Sequence, residues 1–152
     1  MASSILVRSA APILTRRRIV IDTSTLVGAM LRTQSLPHRL LTYVLNNFSL
    51  FASAATLNEL AEVAKRDSFN KYQPLAVRQA FFQNYAVRVA MVTPLMTVTD
   101  CHDPKDNKFL ELALHIQADV LVTSDDDLLT LNPWRGIAVL NPADFMAWTE
   151  LH

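Results

Sequence analysis

Glycine is nearly missing from this chain, whose 152 residues include only Gly28 and Gly136. Neither stands in a setting of the G-x-G-x-x-G or G-x-x-x-x-G-K-[ST] kind, which excludes a dinucleotide fingerprint and a Walker-type phosphate loop. Cysteine is scarcer still. Cys101 is alone, so no intramolecular disulfide can form, as suits a reducing compartment. No histidine beyond its neighbour His102 offers the thiol a partner, and Cys101 reads as a small, semi-buried loop residue. The four histidines (His38, His102, His115, His152) and Cys101 show no zinc-ligand spacing. Uninterrupted apolar runs of about 18 residues are absent, and with them any expected transmembrane helix. Charge of one sign is not in excess: Lys plus Arg and Asp plus Glu number 14 each, which neither advertises nor excludes a nucleic-acid partner. Internal repeats and low-complexity tracts are also missing.

What remains is apolar for its length, 51% hydrophobic against 18% charged, enough for one domain with a sizeable core and a surplus that could cover a subunit interface. Residues 1–17 are Ser- and Ala-rich, basic and free of acid. That composition approaches a transit peptide, but a flexible N-terminal extension explains it more simply, and 18–150 is read as a single domain.

The order of elements predicts an α/β fold with a parallel sheet. Arg18 to Asp22 is a short apolar run ending in an acid, read as the first and central strand. Thr23, Ser24 and Thr25 offer N-caps for a helix through Leu31. Pro37 opens a second helix that stops at Asn46 and Asn47, and Ser49 to Ala52 is the next strand. Ser53 caps a helix over 54–66 whose apolar stripe is Leu57, Leu60, Ala61 and Ala64. Glu59 and Glu62 both lie off that stripe, and periodicity does not choose between them. A long helix follows from Pro74 to Val89, with Leu75, Val77, Phe81, Phe82 and Tyr85 on its apolar side. Met91 to Val98 reads as one or two strands broken at Pro94. Phe109, Leu112, Ala113 and Ile116 mark a helix beginning near Asp103, with Asp106 in its first turn. Residues 119–123 form a buried strand, 137–140 the last strand, and Pro142 to Trp148 a terminal helix.

In parallel α/β units the helix N-termini lie at the sheet edge where the strands' C-termini emerge, which is where such sheets keep their ligands. Asp22, Asp106 and Asp125 are therefore predicted to share one edge. Carboxylates gathered there repel one another and raise one another's pKa unless a hard cation sits among them. Mg²⁺ or Mn²⁺, one ion or two, is the natural occupant of an all-oxygen site. Of the other acids in 103–129, Asp103 is expected to shape the Asp-Pro turn, and Glu111 and Asp119 to be scaffold or surface; Asp100 and Asp126 are expected to be solvated.

Four segments in this order resemble the PIN-domain family of metal-dependent ribonucleases: IVIDTSTLVGAML at 19–31, LNELAEVAKR at 57–66, DPKDNKFLELAL at 103–114 and DVLVTSDDDLLTL at 119–131. Together they resemble the VapC-like branch, ribonuclease toxins of type II toxin-antitoxin systems. The resemblance implies a three-layer α/β/α fold around a mainly parallel sheet of about five strands. It also places the catalytic and metal-binding acids on Asp22, Glu59, Asp106 and Asp125, selecting Glu59 over Glu62. Thr23, Ser24, Thr123 and Ser124 become supporting hydroxyls, and Asp127 an outer or helix-capping acid. Ser24 stands where the family usually has Asn, and Ser124 where it often has Gly.

The activity so implied is hydrolysis of RNA phosphodiesters, with Arg66 and Lys108 as candidate substrate cations, a cognate antitoxin as partner, a homodimer, no membrane and a cytoplasmic location. Two other readings are set against it. One is a catalytically inactive PIN-like module that binds RNA or protein. The other is a phosphotransfer or receiver domain, which places Asp at strand ends but pairs it with a second Asp where this chain has Ser24.

Overall fold

The computed structural model describes residues 16–152. The reading of residues 1–17 as an extension therefore falls almost wholly outside the described part. Five strands, β1 (Arg18–Ile21), β2 (Ser49–Ala52), β3 (Ala90–Met91), β4 (Val120–Val122) and β5 (Ala138–Leu140), form one sheet in the order β3-β2-β1-β4-β5. Every pairing is parallel. The first strand is central, and the reversal of strand order beside it places a crevice at its C-terminal end.

Side-chain alternation along the strands feeds two cores. Ile19 and Ile21 of β1 point to one face with Val120 and Val122 of β4. That face is covered by α1 (Thr23–Leu31), α2 (Leu36–Asn47) and α7 (Pro142–Thr149), together with Leu60 of α3 (Ala54–Ala64) and Tyr85 of α4 (Leu75–Arg88). Val20, Leu121 and Val139 point the other way, onto Phe109, Leu110, Leu112 and Ala113 of α5 (Asn107–Ile116) and Leu128 of the short α6 (Asp126–Leu129). The result is the three-layer α/β/α arrangement expected of strands apolar on both faces.

Local chemistry accounts for the helix ends that matter to the site. Asp22 accepts a hydrogen bond from the Thr25 N–H and so caps α1. Ser53 and Thr56 close a reciprocal capping box that fixes the start of α3 and hence the register of Glu59. Asp125 caps α6 through the Asp127 N–H. The same backbone geometry that lets a carboxylate cap a helix at the end of a strand also leaves it at the ligand edge.

Several expectations need correction. The run 91–98 contributes only Ala90–Met91 to the sheet; the last ladder bond is Val92 N–H to the Ala52 carbonyl, 3.0 Å, and Pro94 has no N–H with which to continue. Asp106 does not sit inside the helix but closes a 3-10 turn, Pro104–Asp106, capped by Asp103. The 54–66 helix ends at Ala64. On α4 the expected apolar side is partly exposed, with Leu75 and Val77 44% and 45% accessible, while Arg78 is completely buried. Asp100 is not simply solvated: it accepts from Trp134 Nε1 at 2.8 Å and pairs with Arg135 at 3.0 Å. Asp119 and Glu111 are scaffold, accepting from the Arg18 and Val98 N–H groups.

Leu121, fully buried in the second core, tests this layering: Leu121→Ala should cost about 2–5 kcal/mol in urea unfolding with an unchanged slope.

Candidate active site

A cleft of about 370 Å³ opens at the C-terminal edge of the sheet, and Asp22, Glu59, Asp106 and Asp125 all line it. They arrive on four separate elements: the end of β1, the middle of α3, the 3-10 turn before α5, and the residue that caps α6.

Asp22 is the most deeply set, 3% exposed. Its Oδ1 accepts from the Thr25 N–H at 3.0 Å, and its Oδ2 accepts from the Ser24 hydroxyl at 3.0 Å and the Thr123 hydroxyl at 2.5 Å. Thr123 Oγ1 in turn accepts from the Asp125 N–H at 2.9 Å, so a single hydroxyl ties the ends of two adjacent strands' acids together. Ser24 thus donates back to the carboxylate two residues before it. Thr23 lines the cleft with its hydroxyl buried and unpartnered. Ser124 is exposed and outside the lining, and Asp127 serves the cap of α6 through its backbone rather than facing the cleft.

Glu59 is paired. Its Oε2 accepts from Lys108 Nζ at 2.6 Å, and that ammonium also donates to the Lys105 carbonyl at 2.5 Å. Lys108 therefore stands as the counter-ion of one of the four acids. Arg66 does line the cleft, is exposed, and takes part in none of the ion pairs among the described residues. Phe69 and Val63, which sequence reading did not single out, also line the cleft. The signal for Phe69 was there: an aromatic residue three positions after Arg66 in an otherwise polar connection.

A family model described as PIN domain matches residues 18–127. An uncharacterized protein of Methanocaldococcus jannaschii is 24% identical over 120 residues, covering 75% of this chain and 74% of that protein. Among solved structures, VapBC2 from Rickettsia felis bound to a DNA fragment from its promoter superposes with TM-score 0.57 at 13% identity, over 82% of this chain and 98% of that one. PAE2754 from Pyrobaculum aerophilum superposes with TM-score 0.60 at 11% identity, over 95% and 99%. Both share the fold of this chain.

The electrostatics follow from the crowding. Burial pushes the Asp22 carboxyl up, against the opposing pull of its hydrogen bonds from Thr123, Thr25 and Ser24. Asp106 is pushed up to about 7, first by desolvation, then by the nearby Asp125 carboxyl and by the charges of Asp103 and Asp22. One oxygen of Asp106, Oδ2, is buried without a donor. Among the described residues no three His, Cys, Asp or Glu side chains stand grouped as a metal site. The donor chemistry is all oxygen, and the orphaned Asp106 Oδ2 is the kind of atom a hard divalent cation satisfies.

The sign of the resulting pH dependence is fixed. Between about pH 4 and 7 the unfolded chain gives up the Asp106 proton while the folded chain keeps it, so stability falls as pH rises through that window. In metal-free buffer, Asp106→Asn should raise the melting temperature by a few degrees at pH 8 and leave it unchanged at pH 4. A thermal melt at both values checks this, and added Mn²⁺ should raise the unaltered chain's melting temperature at pH 8 but not the variant's by as much.

Proposed function

This chain belongs to the PIN domain family, and from that premise we propose that it is a divalent-metal-dependent endoribonuclease, the toxin of a toxin-antitoxin pair. The observation that carries the reading is the convergence of Asp22, Glu59, Asp106 and Asp125 on one cleft, with a buried, unpartnered carboxylate oxygen among them.

Asp22, Asp106 and Asp125 would hold Mg²⁺ or Mn²⁺, as one ion or two. When bound, the metal supplies acidity to water and neutralises charge on the phosphoryl oxygens. The rest falls to the chain. Asp22 is held rigid by three donors, so its lone pairs point into the cleft without rearrangement. Asp125 is set against it through Thr123. Glu59, paired with Lys108 2.6 Å away, would orient a nucleophilic water by accepting a hydrogen bond from it. Among the described residues that line the cleft, Arg66 is the cation left to meet a phosphate, because Lys108 is already engaged.

The partners belong to the same reading: RNA as substrate, a cognate antitoxin that covers the cleft, a homodimer, and a cytoplasmic setting. Among the described residues no helix is long and apolar enough to cross a membrane.

Asp22→Asn combined with Asp106→Asn should reduce Mn²⁺-dependent cleavage of a fluorescent RNA to the uncatalysed background while the circular dichroism spectrum is retained. Undiminished cleavage would remove the acids from the chemistry, and absence of cleavage in the unaltered chain with every divalent ion tried would leave a binding module. Thr123→Val, which deletes the hydroxyl between Asp22 and Asp125, should lower Mn²⁺ affinity or turnover about 10- to 100-fold.

A further inference from the structure

The acids account for only part of the cleft. Val63, Phe69 and Arg66 also line it, adding apolar and aromatic surface and a cation that is in no ion pair among the described residues. Arg66, in extended conformation, immediately precedes the 3-10 turn Asp67–Phe69 that follows α3, and the Phe69 N–H donates to the Arg66 carbonyl at 3.1 Å. One short segment thus brings both residues to the cleft.

That turn is held by an unusual device. Arg78 of α4 is completely buried and has no carboxylate partner. Its Nε donates to the Gln73 carbonyl at 3.1 Å, its Nη1 to the Ala64 and Arg66 carbonyls at 2.5 and 3.0 Å, and its Nη2 to Asn70 Oδ1. A buried guanidinium is tolerated only when its donors are met, and here every acceptor lies within residues 64–73. The Ala64 carbonyl is at the C-terminal end of α3, where the helix dipole also favours a cation. One charge thus fixes the backbone that presents Arg66 and Phe69.

We infer that the Arg66–Phe69 turn is a nucleotide subsite: Phe69 stacks on a base of single-stranded RNA, Arg66 binds the phosphate beside it, and Arg78 is the positioning residue for both. An acidic centre repels an RNA backbone, so a substrate grip needs other groups of the same cleft. An aromatic ring and a fork of donors, three residues apart in its lining, match the two parts of a nucleotide. The inference rests on the ribonuclease reading and names where its substrate is gripped.

The test is fluorescence anisotropy of a labelled single-stranded RNA of about 12 nucleotides, using full-length chain carrying Asp106→Asn to prevent cleavage. In that background Phe69→Leu should weaken binding roughly 5- to 150-fold, the range spanned by loss of one base stack. Arg66→Ala should weaken it and lower the salt slope of log K by about 0.7, the loss of one phosphate contact. Asn70→Ala, which removes one partner of Arg78, should weaken RNA binding with the circular dichroism spectrum retained at the assay temperature, and Asn70→Asp, which keeps an acceptor for Arg78, should restore it; RNA affinity of Asn70→Ala equal to the parent's removes Arg78 from the positioning role. Equal affinity of Phe69→Leu and Arg66→Ala with their parent overturns the subsite, as does absence of RNA binding by the parent. If the unaltered chain cleaves no RNA with any divalent ion tried, the ribonuclease reading fails separately, and the fall in affinity of the two variants still supports the subsite.

Discussion

The hydroxyl of Thr123 is the smallest part on which the site depends. It donates to Asp22 at 2.5 Å and accepts from the Asp125 N–H at 2.9 Å, and so makes the ends of β1 and β4 a single unit. Without a donor there, a carboxylate 3% exposed would face the core with an unmet lone pair, at a cost of about 1–3 kcal/mol. The parallel pairing of Ile21 with Val122 puts the two strand ends level, and the Asp22 N–H continues the ladder to the Val122 carbonyl at 3.0 Å. Register, cap and acid placement are thereby one constraint rather than three.

Charge is the second organising quantity. Four acids line one cleft, and among the described residues only one of them is in an ion pair, Glu59 with Lys108. The imbalance is visible in Asp106, whose carboxyl is held protonated up to about pH 7. A fold that accepts such crowding lowers its own stability near neutral pH, and a bound cation offsets that loss directly. Stability and ligand binding are coupled at the same atoms.

Much of the fold could be read before the structure because local and long-range signals agreed. The short β-branched runs at 18–22 and 119–123 were apolar on both faces, which only a covered parallel sheet accommodates, and each ended in or near an acid. Asp22, Asp106 and Asp125 followed from where helices begin and strands end. Glu59 did not, because a helical glutamate off the apolar stripe has the same periodicity as Glu62; the family resemblance chose it, and the shape of the cleft includes Glu59 but not Glu62 among its lining. What could not be read was set by contacts between distant residues. Asp100 meets Trp134 and Arg135, 34 and 35 positions away. β3 is two residues long because it sits at the sheet edge and Pro94 follows it, a limit invisible in hydrophobicity alone.

The two arginines near the cleft show why residue type alone misleads. Arg66 is exposed and Arg78 buried, the reverse of what a reader of the helix 75–88 would assign, since Arg78 interrupts an apolar side. Its burial has a reason once its acceptors are traced: four groups from residues 64–73 that no apolar side chain could satisfy. Replacing it with a hydrophobic residue of similar volume would leave the Gln73 carbonyl and the end of α3 without that donor. The charge is therefore not a defect in the core but the means by which an irregular turn keeps one conformation. A turn so determined, placed against an acidic cleft, has a shape that solvent exposure alone would never select.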